Sequence, residues 1–232
     1  MESKHHIEPI VERIHKSRYP LLLSSIILMF ILYPYLARSK TGEFILILLN
    51  IMIMFSSLIP FHSKKMRFML FLYSSVITII VGMYLFRIFY GNNSESMHLT
   101  GLGGFLLLYL YLVYKISQDI FTRKVITSET ISGGICVYIL CGLIWAILYE
   151  ILFSLSPNAF SQATVPLEGM DFIFYSFSTL TTLGEGGIAP ISETAKSLSL
   201  IELIFGVMYT TIFLAKLVAT YSQEHHAENL PK

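Results

Sequence analysis

The sequence predicts an all-α membrane protein with six transmembrane helices and a re-entrant helix and loop between the fifth and the sixth. Three observations lead there. Apolar residues make up 54% of the chain and charged residues only 13%, against about 25% charged in soluble domains; mean hydropathy is +0.67. Six apolar stretches approach or reach the roughly 17–25 residues that a helix needs to cross a bilayer. Between the last two stands Thr-Leu-Gly-Glu-Gly-Gly at 182–187. Such irregular backbone survives at membrane depth only where it is buried in protein or lines water.

Residues 1–19 are polar and charged, with Lys4, Arg13, Lys16 and Arg18. Pro9 suits a first helical turn, and Ile10, Val11 and Ile14 then share a face. The segment is either a short helix on the membrane surface or a frayed tail. No small-residue cleavage pattern follows the first apolar run, which argues against a signal peptide. The six spans are 20–36, 44–61, 68–90, 99–114, 131–153 and 197–221. The fourth is the shortest. Its Gly101, Gly103 and Gly104 suit close packing against a neighbouring helix; with no strand before them they are not a nucleotide-binding fingerprint.

Basic residues set the orientation. With the N-terminus inside, Lys4, Arg13, Lys16, Arg18, Lys64, Lys65, Arg67, Lys115, Arg123 and Lys124 fall on the cytoplasmic side, while Arg38, Lys40 and Lys196 fall outside. This asymmetry follows the positive-inside rule and places both termini in the cytoplasm and the glycine-rich loop on the external face. An integral protein of the plasma or inner membrane is expected. The layout is an N-terminal segment at 1–19, a four-helix membrane domain at 20–116, a cytoplasmic linker at 117–130, a second membrane domain at 131–221 and a short tail at 222–232. A voltage-sensing helix needs several spaced cations, each worth about 2.3 kcal/mol per 100 mV. Between Gly101 and Tyr114 there are none, and Arg87 stands alone in the third span, so the four-helix domain lacks a charged voltage sensor.

The residues with most information are 178–186, Ser-Thr-Leu-Thr-Thr-Leu-Gly-Glu-Gly. They resemble the pore helix and selectivity filter of the potassium-channel superfamily, where the filter reads Thr-Val-Gly-Tyr-Gly-Asp. Thr182, Leu183, Gly184 and Gly186 match it. Glu185 stands where the aromatic residue is expected and Gly187 where the Asp is expected. The specific match is confined to about residues 131–221. It implies a re-entrant pore helix and filter loop between helices 5 and 6, and a filter made of Thr182, Leu183, Gly184, Glu185 and Gly186 with Thr181 and Gly187 in support. The physical reasoning agrees. A cation entering hydrocarbon must exchange water for protein oxygens, which backbone carbonyls supply when the chain is held toward an axis. Gly184 and Gly186 take positive φ without steric cost, and Thr182 adds a hydroxyl oxygen.

Around the filter, 131–153 is the outer helix, with Trp145 and Tyr149 approaching the external interface and Glu150 beside headgroups or water. A turret at 154–168 contains Pro157 and Pro166. The pore helix begins near Asp171, an acid favoured at a helix N-terminus, and its negative end points at the ion path. Pro190 and Ser192 end the loop, and Glu193 lies in the first turn of the last helix. Gly206 lies where the resemblance implies a gating hinge; the competing reading is close helix packing. Lys216 either snorkels to the inner interface or faces the cavity and limits inward flow. The linker at 117–130 either lies along the membrane, coupling the first four helices to the pore, or is an ordinary loop.

One loop supplies one quarter of a carbonyl ring, so the resemblance implies a homotetramer in the lipid bilayer. No cofactor is expected, and no metal beyond permeant ions at the filter: K+ first, with Na+ or Ca2+ as alternatives. The function implied is a tetrameric cation channel, most simply potassium-conducting. The alternatives are a non-selective cation channel and a non-conducting sensor or regulatory subunit with a pore-like fold. Catalysis is not expected, because no His stands near Ser178, Thr179, Thr181 or Thr182 to activate a nucleophile. Net charge of +1 gives no reason to expect nucleic acid. Cys136 and Cys141 read as buried free thiols, His225 and His226 as solvated tail residues, and Asn92-Asn93-Ser94 fits a glycosylation acceptor on a predicted external loop.

Overall fold

The apolar stretches fold as helices because their spacing lets every backbone amide pair within the segment, which hydrocarbon demands. A computed structural model describes residues 18–36, 95–122, 127–161, 167, 169–184 and 187–228. These form α1 (Arg18–Leu36), α2 (Glu95–Thr122), α3 (Ser128–Leu155), a 3-10 turn (Pro157–Ala159), α4 (Gly169–Leu180) and α5 (Glu193–Glu228). The predicted spans at 44–61 and 68–90, the residues before Arg18 and the Asn92 triplet lie outside the described residues.

Three of these helices carry segments long and apolar enough to cross a membrane: His98–Thr122, Ser128–Leu155 and Glu193–Ala219. In α1 the apolar part, Tyr19–Tyr33, is shorter. The chain is an all-α membrane protein. It divides into two units, one containing α1 and the opening of α3 as far as Cys136, the other α2, the remainder of α3, α4 and α5.

In the first unit α1 buries Tyr19, Leu22, Ile26 and Met29, a spacing of three and four that keeps one helical face inward. Leu21, Ile27, Leu28 and Ile31 on its other faces are exposed, as suits contact with lipid. The Cys136 thiol donates to the Tyr19 carbonyl at 3.6 Å. Cys136 and Cys141 are both free and buried, as the sequence predicts. Thr127 opens α3: its Oγ1 accepts from the Thr130 amide at 3.3 Å, a side-chain cap on an otherwise unpaired donor.

In the second unit α2 buries Leu108, Leu112, Ile116 and Ile120, again one face. It runs on to Thr122, so part of the predicted linker continues the fourth helix. The glycine expectation is corrected at Gly101 and Gly103. A Cβ added at Gly101 or Gly103 would meet nothing within 4 Å, so neither makes a close helix contact among the described residues. The tight approach falls at Gly142 of α3, where a Cβ would lie 2.7 Å from the Phe177 ring. The missing side chain lets α4 settle onto α3.

Candidate functional site

Helix α4 is short and leads straight into the predicted filter. Asp171 lies in its first turn, where a carboxylate offsets the unpaired amides. Phe172, Tyr175, Ser176, Ser178 and Leu180 are buried. The last four carbonyls of a helix have no partner within it, and here all four are satisfied. Phe177 O accepts from the Thr181 amide at 3.0 Å, Thr179 O from the Thr182 amide at 3.0 Å, and Ser178 O from the Leu183 and Gly184 amides at 2.8 and 3.2 Å. Leu180 O accepts from the Tyr138 hydroxyl at 3.2 Å.

This is a Schellman-type ending, which needs one residue in the left-handed region just past the helix. That residue is usually Gly. Here it is Thr182, with φ of 61°, an uncommon conformation for a β-branched side chain. Gly184 follows at φ 79° and Gly187 at φ 73°. Glu185 and Gly186 lie outside the described residues.

The amide pattern fixes where the carbonyls point. In a trans peptide the C=O of one residue lies opposite the N–H of the next, and no peptide among the described residues is cis. The amides of Thr182, Leu183 and Gly184 turn back onto α4. The carbonyls of Thr181, Thr182 and Leu183 are therefore directed away from it. The oxygens available for a ligand belong to the turn and not to the helix end, whose own carbonyls are occupied. Beside the turn is a cleft of about 510 Å³ lined by Tyr175, Ser178, Thr182, Gly184, Lys196 and Leu203 among others. Ser178 Oγ is buried there with no hydrogen-bond partner among the described residues.

The far end of the loop is clamped to the turret. Phe160 and Pro190 form an isolated bridge. The Ser161 amide donates to Ala189 O at 2.7 Å, the Ile191 amide to Ala159 O at 2.8 Å, and the Ala189 amide to Ser161 Oγ at 2.8 Å. Ser192 Oγ then accepts from the Ala195 amide at 3.1 Å, capping α5 where the sequence places its start.

Under this clamp lies an aromatic knot. Phe160 meets Tyr149, Phe172 and Tyr175 edge-on at centroid distances of 5.7, 6.0 and 5.7 Å, the geometry that ring quadrupoles favour. Tyr149, expected at the external interface, is instead fully buried. Glu150 has a protein partner: its Oε1 lies 3.1 Å from His98 Nε2 on α2.

The less exposed face of α5 includes Ala195, Ser199, Glu202, Gly206, Tyr209, Phe213 and Lys216, and Leu198 also packs against the core. The spacing alternates four and three, as a single helical seam requires. At Gly206 an added Cβ would overlap the Leu180 carbonyl, so the structure supplies the contact that the packing reading of this glycine needs. Lys216 neither reaches water alone nor stands free: its Nζ donates to Ile120 O at 2.9 Å and sits 4.4 Å over the Phe121 ring. It caps the end of α2, where carbonyls are exposed and a cation is favoured.

Glu202 was not singled out from the sequence. It is fully buried, taking a bond from the Tyr149 hydroxyl at 2.5 Å and facing Ser176 Oγ at 2.5 Å. The signal was present, since no other acid occurs in the predicted span 197–221 and an ionisable group inside a membrane helix is costly to keep.

The stretch that folds as α3, the turret, α4, the loop and most of α5 is also the one with a recognisable relationship. Residues 125–223 match the model of a family described as Ion channel, which supports an ion-channel family for this membrane protein. No curated protein matches the chain, and no solved structure does.

Proposed function

We propose that the chain is one subunit of a homotetrameric cation channel, in which K+ moves passively down its electrochemical gradient through a filter of Thr182, Leu183, Gly184, Glu185 and Gly186. The observation that carries this reading is the amide pattern after α4: three consecutive amides tie back to the helix, so three consecutive carbonyls face away from it. Carbonyls so held replace a cation's water at little reorganisation cost. One chain supplies too few oxygens to surround an ion, and rotational symmetry supplies the rest. The exposed apolar residues of α5, among them Leu200, Ile204, Val207 and Met208, and the Ser178 hydroxyl, without a partner among the described residues, support association with further copies.

The non-selective reading is favoured by one feature of the sequence, Glu185 in place of an aromatic residue. Four carboxylates gathered near an axis repel one another and do not brace the carbonyls as packed rings would. The outer half of the filter is then less rigid and more pH-sensitive. Purified protein in liposomes tests both. Potassium-driven flux blocked by barium supports the first reading, equal sodium flux the second, and no flux under any gradient a non-conducting subunit. Glu185→Tyr is expected to raise the potassium-to-sodium permeability ratio; an unchanged ratio and pH response would refute the role given to Glu185.

A further inference from the structure

Glu202 lies at the meeting point of three helices. Its Oε2 receives the Tyr149 hydroxyl of α3 at 2.5 Å. Its Oε1 is 2.5 Å from Ser176 Oγ of α4, and that same Oγ lies 2.8 Å from Gly142 O of α3. Two oxygens this close need a hydrogen between them. Ser176 has one hydroxyl hydrogen and two oxygen neighbours. Gly142 O is a carbonyl and brings none, so the second hydrogen belongs to the carboxyl. With the carboxyl protonated, the donors run Glu202 to Ser176 to Gly142 O, and Tyr149 donates to the other carboxyl oxygen. Both side-chain partners of Glu202 among the described residues are neutral hydroxyls, and an ionised group is costly to bury among neutral partners; the charge-free arrangement fits the membrane setting.

The connection to the filter is short. Ser176 is two residues before Ser178, whose carbonyl holds both the Leu183 and Gly184 amides. A shift of α4 at Ser176 moves that carbonyl, and with it the carbonyls of Thr182 and Leu183. The nearby hydroxyls reinforce the same seam: Tyr175 and Ser199 are 2.7 Å apart, and Ser199 Oγ donates to Ala195 O at 2.9 Å.

We propose that Glu202 is a neutral carboxylic acid that clamps α3, α4 and α5 through Tyr149 and Ser176, and that it is a positioning residue for the filter turn. The effect on selectivity rests on the conduction reading above; the location of the hydrogen does not. Two measurements on the reconstituted full-length protein test it. In infrared spectra at neutral pH, the wild type shows the C=O stretch of a protonated carboxyl that is lost in Glu202→Gln; absence of any such difference overturns the neutral acid. In bilayers under a potassium and sodium gradient, Glu202→Gln keeps the wild-type reversal potential, because the amide N–H replaces the acid O–H toward Ser176 and the amide oxygen still accepts from Tyr149. Glu202→Leu and the milder Ser176→Ala lower the permeability ratio about tenfold, the factor that one buried hydrogen bond is worth. Assembled Ser176→Ala channels with the wild-type ratio would show a role in folding only and overturn the positioning role. A wild type that passes no cation defeats the conduction reading, and the infrared band then decides the inference by itself.

Discussion

Replacing Gly206 with Ala puts the packing of α5 against α4 to a direct test. In an isolated helix the change is favourable, by about 1 kcal/mol of propensity. In this structure the new Cβ overlaps the Leu180 carbonyl oxygen and lies 3.0 Å from its carbon. Neither atom is the tip of a flexible side chain. Leu180 O is also fixed by the Tyr138 hydroxyl, so the overlap is relieved only by moving one helix away from the other. Overpacking of this kind costs about 1–3 kcal/mol, and a backbone obstacle places it in the upper part of that range. The net effect is a loss of about 1–2 kcal/mol after the propensity gain, or a thermal midpoint lower by about 2–8 °C for a chain of this size. Fluorescence-detected thermal unfolding in detergent reads it. Because Leu180 ends the helix that carries the proposed filter turn, reversal potentials should shift in the same variant. A midpoint at or above the wild type, with unchanged selectivity, would refute the packing argument and leave Gly206 as a point of flexibility alone.

Thr182→Gly removes a β-branched residue from φ of 61° and is expected to raise the thermal midpoint, since strain of about 1–3 kcal/mol is relieved. The same change deletes a hydroxyl beside the carbonyls and should lower potassium selectivity; a destabilised variant would refute the strain argument. Lys216→Met loses both the bond to Ile120 O and the contact with Phe121. Amide hydrogen exchange should then quicken at the end of α2 near Ile120, while exchange in α4 stays as in the wild type. Equal protection of α2 in the two proteins would count against the cap.

The local features were legible because they depend on near neighbours in the chain. Composition and apolar run length are enough to predict α1 and α3 within a few residues, while α5 runs on to Glu228, past the predicted end at 221. The Ser192 cap, the Asp171 turn and the buried thiols follow from residue type in a fixed local setting. The position of the irregular turn was also legible, since no membrane helix continues through Thr-Leu-Gly-Glu-Gly-Gly. Two readings needed correction. Gly101 and Gly103 fit a packing motif by spacing, yet a Cβ at either would meet nothing within 4 Å, while Gly142 and Gly206 make close approaches. Tyr149 fits an interface aromatic by its distance along the helix, yet it is held inside by Phe160, a residue in the turret.

What the sequence by itself determined was the class of protein and the stretch where helix gives way to an irregular turn, because hydrocarbon imposes helix length and backbone pairing on any chain. Only the tertiary structure decided which groups hold that stretch. The Glu202 contacts reach 53 residues back to Tyr149 and 26 back to Ser176, and Lys216 reaches 96 residues back to Ile120. Such pairings come from how the helices pack, and no periodicity within one helix encodes its partner. The left-handed Thr182 belongs with them: propensity alone favours Gly there, and the amides closing onto Ser178 and Thr179 hold a threonine in its place.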